Sequence, residues 1–269
     1  MLEGKHLVLV GLGSVGSAMA VMGARAGIGR FTLFDPDVLE PENIGRHVCD
    51  LGYLGQAKVE AVAELIRRIN PQGIVESHAA DFRAFDRESL GRTLDSSSVL
   101  LGTTDSFECQ SLLNLLSLET GTPAMYAGCW GEANVGEILC VHPNHTPCYE
   151  CYARFRRDTA PLPLSDPRRY TDIDFDTTRV SAQAGLWPNI LVICGIAFQL
   201  LVAMFDPSRP AAQLIDENHT LFLVNVGDFD SGLQPWAVTR GSVQKGCAVC
   251  DPVLLGELQL EALPGDDGA

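Results

Sequence analysis

Apolar and polar positions switch between two periods along the 269-residue chain, and the switches lay out a succession of strands and helices. "LVLV" (7–10) is a continuous apolar run of the kind a strand buried on both faces requires. After the glycine-rich "GLGSVG" (11–16), small and apolar residues from Ser14 to Ala26 predict a helix, which Gly27 and Gly29 stop. "RFTLFD" (30–35) predicts a second strand, closing on Asp35. From Gln56 to Ile69, Val59, Val62, Leu65, Ile66 and Ile69 recur at helical spacing until "NPQG" ends the pattern. "GIVESHA" and "SSVLLGTTD" (97–105) predict two more strands, Phe107–Leu118 the helix after them, and "TPAMYAG" another strand. Strands alternating with helices predict an α/β fold, a doubly wound, mostly parallel sheet. In such sheets ligands sit above the carboxyl ends of the strands, where Asp35 and Asp105 both fall.

The second half has a different texture. "RFRRDTAPLPLSDPRRYTDIDFDTT" is rich in Pro, Arg and Asp without sustained apolar periodicity, which predicts a long mobile loop over about 152–187. Trp187–Met204 is a nearly uncharged stretch with Pro188 in its first turn and is read as a buried helix rather than a membrane span. Short strands are expected over 212–240, "TLFLVN" the clearest, as an antiparallel extension of the sheet. The expected organisation is one domain over 1–251, with a nucleotide-binding core over about 1–140, and a flexible tail over 252–269.

Composition narrows the partners. A formal net charge of -15 lacks the basic stripe that a nucleic-acid surface needs, so no nucleic acid is expected. The early apolar stretch is broken by Gly11, Gly13, Gly16 and Gly23, which fits a strand-to-helix turn better than a signal peptide, and a cytoplasmic protein without a membrane partner is expected. Nine cysteines in a reducing compartment stay as thiols, and paired spacings there are metal sites before they are disulfides. Cys148 and Cys151 form one C-x-x-C and Cys247 and Cys250 another, four thiolates suited to tetrahedral structural zinc and closed to catalysis. Cys140 and Cys194 lie in apolar runs and read as core packing, Cys49, Cys109 and Cys129 carry no assigned role, and His142 and His145 read as loop residues.

The glycine loop alone fits two ligands, a nicotinamide dinucleotide or ATP, since both place phosphate oxygens on N–H groups at a helix N-terminus. Asp35, 19 residues after Gly16, suits ribose hydroxyls in either case. An ordered set beyond it, Asp37, Asn43, Arg46 and Lys58, adds fixed cations of the kind that stabilise charge building on phosphates during nucleotidyl transfer. Asp105, at a strand end, is placed to hold a magnesium ion that bridges those phosphates. A nicotinamide oxidoreductase rests on the loop and Asp35 alone.

Taken in order, "GLGSVG", "DPD", "NIGRH", Lys58, "TTDS" and the two C-x-x-C pairs resemble the ThiF, MoeB and HesA superfamily, the adenylating core shared with ubiquitin-activating enzymes. The resemblance runs from about Leu7 to Cys250 and implies a Rossmann-like fold that binds ATP and magnesium. It implies activation of a carboxylate, commonly the C-terminal glycine of a ubiquitin-like or sulfur-carrier protein ending in Gly-Gly, as an acyl-adenylate with release of pyrophosphate. A peptide or small carboxylate is the alternative substrate, and the scaffold half of a heterodimeric activating enzyme is the alternative role. By the resemblance Gly11, Gly13 and Gly16 line the phosphate loop, Asp35 holds the ribose, and Asn43, Arg46 and Lys58 contact phosphates. Asp105 serves magnesium and the reacting groups, and Asp37 belongs to the same acidic motif. Arg46, Lys58 and Asp105 are therefore the expected catalytic residues, and a homodimer is the expected assembly. His47 stands where many relatives have glutamine, and the N-terminal helices that in relatives send an arginine into the neighbouring subunit are expected to be absent. Residues 152–187 contain no cysteine, so adenylation without transfer to a loop thiol is expected.

Overall fold

The parallel half of the sheet forms first in sequence: β1 (His6–Val10), β2 (Arg30–Phe34), β3 (Ile74–His78), β4 (Ser98–Gly102) and β5 (Ala124–Trp130). Three antiparallel strands follow, β6 (Val135–Val141), β7 (Leu221–Asn225) and β8 (Ala237–Gly241). The computed structural model describes residues 2–130, 133–159, 185–216, 220–226, 237–241, 243 and 245–250. Its strands lie in the order β3-β2-β1-β4-β5-β6-β7-β8. β1 pairs in parallel with both β2 and β4, so the chain reverses direction across the sheet at β1/β4, which opens a crevice above their carboxyl ends.

Alternation along β1 explains the two layers. Leu7 and Leu9 point into one core, with Phe31, Leu33, Val99 and Leu101 from the neighbouring strands. Helices α1 (Ser14–Arg25), α2 (Lys58–Ile69) and α6 (Trp187–Phe205) cover that face. Val8 and Val10 point the other way, with Leu100, Tyr126 and Leu139, under α4 (Phe107–Thr120) and α5 (Tyr149–Thr159). A short α3 (Arg87–Gly91) precedes β4. The apolar α6 is a core helix: Ile190, Ile193, Cys194, Ala197 and Leu201 are buried against the sheet, although its length and composition alone would let it cross a membrane.

Several sequence expectations shift in detail. The helix expected from Gln56 starts at Lys58, because Leu39 N–H bonds the Gln56 carbonyl and Val38 bridges Ala57, drawing 56–57 into an extended pairing. The mobile loop expected over about 152–187 is corrected at both ends. Residues 152–159 continue α5, whose Tyr149, Tyr152 and Phe155 repeat at a helical interval and pack on the second core. Trp187 already belongs to α6. The rest of that loop, 160–184, lies outside the described residues, as do the tail 252–269 and residues 227–236 of the expected short strands. Residues 212–214 belong to a 3-10 turn, Pro210–Leu214, rather than a strand, Pro210 supplying the preset φ of its first position.

Candidate functional site

Strand β1 ends in the glycine loop, and two of its glycines are required by geometry. Gly11 has φ +94°, and a Cβ there would stand 2.8 Å from Thr104 N. A Cβ on Gly16 would meet the Gly11 carbonyl oxygen at 2.0 Å and Thr103 Oγ1 at 2.6 Å. Thr103, just past β4, donates from Oγ1 to that same Gly11 carbonyl at 2.6 Å, stitching the loop to the far side of the crevice. Gly13 differs: nothing lies within 4 Å of where its Cβ would be. It is the N-cap of α1 with no side-chain capping bond and no acidic residue in the first turn, so the helix begins with open N–H donors and its positive dipole end.

Asp35, the residue after β2, is 5% exposed and holds the loop from below. Its Oδ2 accepts from Leu12 N–H at 2.6 Å and its Oδ1 from Asp37 N–H at 2.9 Å. Burial raises its pKa above the ordinary carboxylate value, opposed by these two bonds and by the charge of Lys58. Lys58, the first residue of α2, has a buried side chain whose Nζ donates to Asp37 Oδ2 at 2.8 Å. Its own N–H bonds the Asp37 carbonyl at 2.9 Å. The sequence-predicted trio Asp35, Asp37 and Lys58 thus meets at the β2 end.

Asn43 and Arg46 lie in a 3-10 turn, Pro41–Arg46, between β2 and α2. Asn43 Oδ1 accepts from Glu40 N–H at 3.0 Å and closes a capping box, which leaves its Nδ2 group for any ligand. Asp105 is exposed three residues beyond β4. Cys129, in β5, feels the charges of both Asp105 and Arg46. The Cys129 thiol is pushed up to about 11, first by burial and then by Asp105, with Arg46 opposing, so it stays protonated at neutral pH. Sequence reasoning left two contributors unassigned. Thr103 lies in "TTDS" at the switch point, and His47, marked in the sequence only by its departure from the relatives' glutamine, reaches back 35 residues to set its Nε2 2.8 Å from the Leu12 carbonyl.

The four predicted cysteine ligands converge at the opposite end of β6, with sulfurs all within 4.8 Å of one another. Cys148–Cys247 and Cys151–Cys250 are 3.5 Å apart and Cys247–Cys250 3.7 Å. A tetrahedron with Zn–S bonds of about 2.3 Å has edges of about 3.8 Å, so the group fits such an ion. Hydrogen bonds from neighbouring thiols push Cys151 toward the thiolate. Lys245 donates to the Asn144 carbonyl at 3.0 Å and Arg154 to the Gly246 carbonyl at 3.2 Å, fastening the second pair beside the first. His142 and His145 lie in the preceding turn, outside the sulfur group. Cys140 and Cys194 are fully buried, as the core reading expected.

Known proteins resemble this chain in sequence and in fold. Ubiquitin-like modifier-activating enzyme 5 of Dictyostelium discoideum is 32% identical over 154 residues, which cover 54% of this chain and 40% of the relative. The Xenopus laevis protein of that name is 35% identical over 154 residues, 54% of this chain and 39% of its own. The matched segment is thus about two fifths of those relatives' length. Among solved structures, Escherichia coli MccB with AMPCPP and MccA superposes with a TM-score of 0.69 at 18% identity, covering 93% of this chain and 67% of that one. PaaA superposes with a TM-score of 0.61 at 18% identity, covering 90% and 65%. Both likenesses are of fold. The sequence profile of the ThiF family matches residues 1–220, through the whole parallel half of the sheet and past α6, and the chain belongs to that family.

Proposed function

We propose that this chain is an ATP-dependent adenylyltransferase that activates a carboxylate, the C-terminal glycine of a ubiquitin-like or sulfur-carrier protein, as an acyl-adenylate. The observation that carries the reading is the open N-terminus of α1 above a doubly anchored glycine loop, with Lys58 buried beside it, in a chain of the ThiF family. Such an N-terminus offers N–H donors and a positive dipole end to phosphate oxygens. Asp35 receives the ribose through its remaining lone pairs, and Asn43 Nδ2, Arg46 and Lys58 meet the phosphates. A carboxylate oxygen attacks the α-phosphorus, a new P–O bond forms, and the bond to the departing pyrophosphate breaks. No side chain is acylated in that step. The protein contributes position and charge stabilisation, Arg46 through a planar fork and Lys58 as a point charge.

Magnesium fits the exposed carboxylate of Asp105, a hard oxygen ligand at the crevice, and when bound it neutralises charge on the phosphates. Zinc fits the four-sulfur group as a structural ion. The reading extends to one adenylation domain over 1–251, a homodimer, and release of the adenylate without thioester formation on a loop cysteine. A peptide carboxylate is the second reading, supported by the fold neighbour MccB, solved with ATP and with MccA.

The test is ATP–pyrophosphate exchange with magnesium, run against carrier proteins ending in Gly-Gly and against peptides with free C-termini. Exchange that depends on the added carboxylate is expected. No affinity for magnesium-ATP would instead favour a scaffold role, and a reducible thioester on this chain would sink the transfer-free reading.

A further inference from the structure

One buried side chain outside the residues assigned so far is bonded to the glycine loop itself. His47 is 7% exposed and follows Arg46. Its Nδ1 accepts from Cys49 N–H at 3.1 Å, and its Nε2 lies 2.8 Å from the Leu12 carbonyl oxygen. A backbone N–H only donates and a carbonyl only accepts, so these partners fix the ring as the neutral Nε2–H tautomer. Leu12 is thereby held at both ends, its N–H by Asp35 and its carbonyl by His47, with its side chain fully buried.

The Leu12 carbonyl shares a planar, trans peptide unit with Gly13 N–H, so the two dipoles point in opposite directions. Drawing the carbonyl inward toward His47 turns the Gly13 N–H outward, at the one glycine of the loop whose flank is open. We propose that His47 is a positioning residue that aims the Gly13 N–H at a nucleotide phosphate. The inference rests on the ATP reading above. His47 touches no reacting atom; it acts through the Leu12 peptide.

Two variants separate the contributions. His47→Gln keeps one acceptor and one donor at a similar span, whereas His47→Leu keeps bulk and loses both, leaving a buried carbonyl unpaired. In pyrophosphate exchange, His47→Leu is expected to raise the KM for ATP about tenfold with kcat changed far less, and His47→Gln to restore most of it. An unmoved KM in His47→Leu overturns the inference. Should His47→Leu not fold, the wild type answers alone: the Gly13 amide resonance is expected to shift on adding magnesium-ATP, and one that stays in place overturns the proposal. Nitrogen-15 spectra of the nucleotide-free protein are expected to show the Nε2-protonated ring at pH 7, and the other tautomer removes the premise. A wild type that shows this tautomer but binds no magnesium-ATP fails the ATP reading itself, which distinguishes the two failures.

Discussion

Arg46 is half-buried and Asp105 exposed, and neither belongs to the apolar core. Arg46→Ala and Asp105→Ala are therefore expected to lower pyrophosphate exchange by at least about a hundredfold, as loss of a group stabilising transition-state charge does. Their melting temperatures should stay within a few degrees of the wild type; a collapsed variant would make these residues structural. Lys58 is a different case, since it is buried and paired with Asp37, and Lys58→Ala removes the cation from beside two carboxylates. It should lose exchange and some stability together, and full activity in that variant would remove Lys58 from the proposed chemistry. The strand-and-helix alternation placed Lys58 near a helix start and Asp105 just past a strand, whereas Arg46 ends a 3-10 turn the periodicity did not mark. The Lys58–Asp37 pair and the anchoring of Leu12 were not legible, since they depend on how the β2 end folds back over α2.

At the scale of elements, the glycine loop tolerates little. Gly16→Ala would place a methyl 2.0 Å from the Gly11 carbonyl, so the loop must open or α1 must shift. Loss of nucleotide binding is expected even where the sheet survives, and binding at wild-type strength in that variant would contradict the packing. Gly13→Ala has room, and only a bound phosphate would make it costly. Strands β1, β2, β4 and β5 and helices α1, α2, α4 and α6 could be read from apolar runs that reflect burial, whereas β3 has no fully buried position and Ile74 is exposed. Helix α5 could not be read so, because Tyr149, Tyr152 and Phe155 stand among charged residues in the sequence, and their packing partners come from the distant core under β4–β6. The sulfur group was legible from spacing alone. Cys148→Ser is expected to release zinc and loosen α5 from the 245–250 segment, read as lower metal content and raised proteolysis near 149–159. A metal-free wild type would end the zinc assignment.

Across the whole molecule, two buried histidines tie strands and loop together and make stability depend on pH. His6 joins β1 to both neighbours, Nδ1 to Ser98 Oγ at 3.1 Å and Nε2 to Thr32 Oγ1 at 2.9 Å. Burial first, then Arg30, lowers its pKa from 6.5 to about 4, and burial lowers that of His47 to about 4, with Lys58 adding to the shift. Between about pH 4 and 6.5 the unfolded chain binds more protons than the folded one, so stability is full above pH 6.5 and falls as the pH drops. Each histidine then costs about 1.4 kcal/mol per pH unit. Urea midpoints should fall from pH 7 to 5, and His6→Gln should flatten the slope by about half; a flat wild-type profile contradicts the burial.

The sulfur clasp also orders events in time. Its two halves stand 99 residues apart in the chain, and β1–β6 are complete before the first half is made. At about 5–20 residues per second, the second pair leaves the ribosome roughly 5–20 s after the first. The crevice above β1 and β4 can therefore take shape on a nascent chain before the clasp closes. On the zinc reading, metal capture would then be a late checkpoint, fastening the antiparallel edge only once β8 has been delivered.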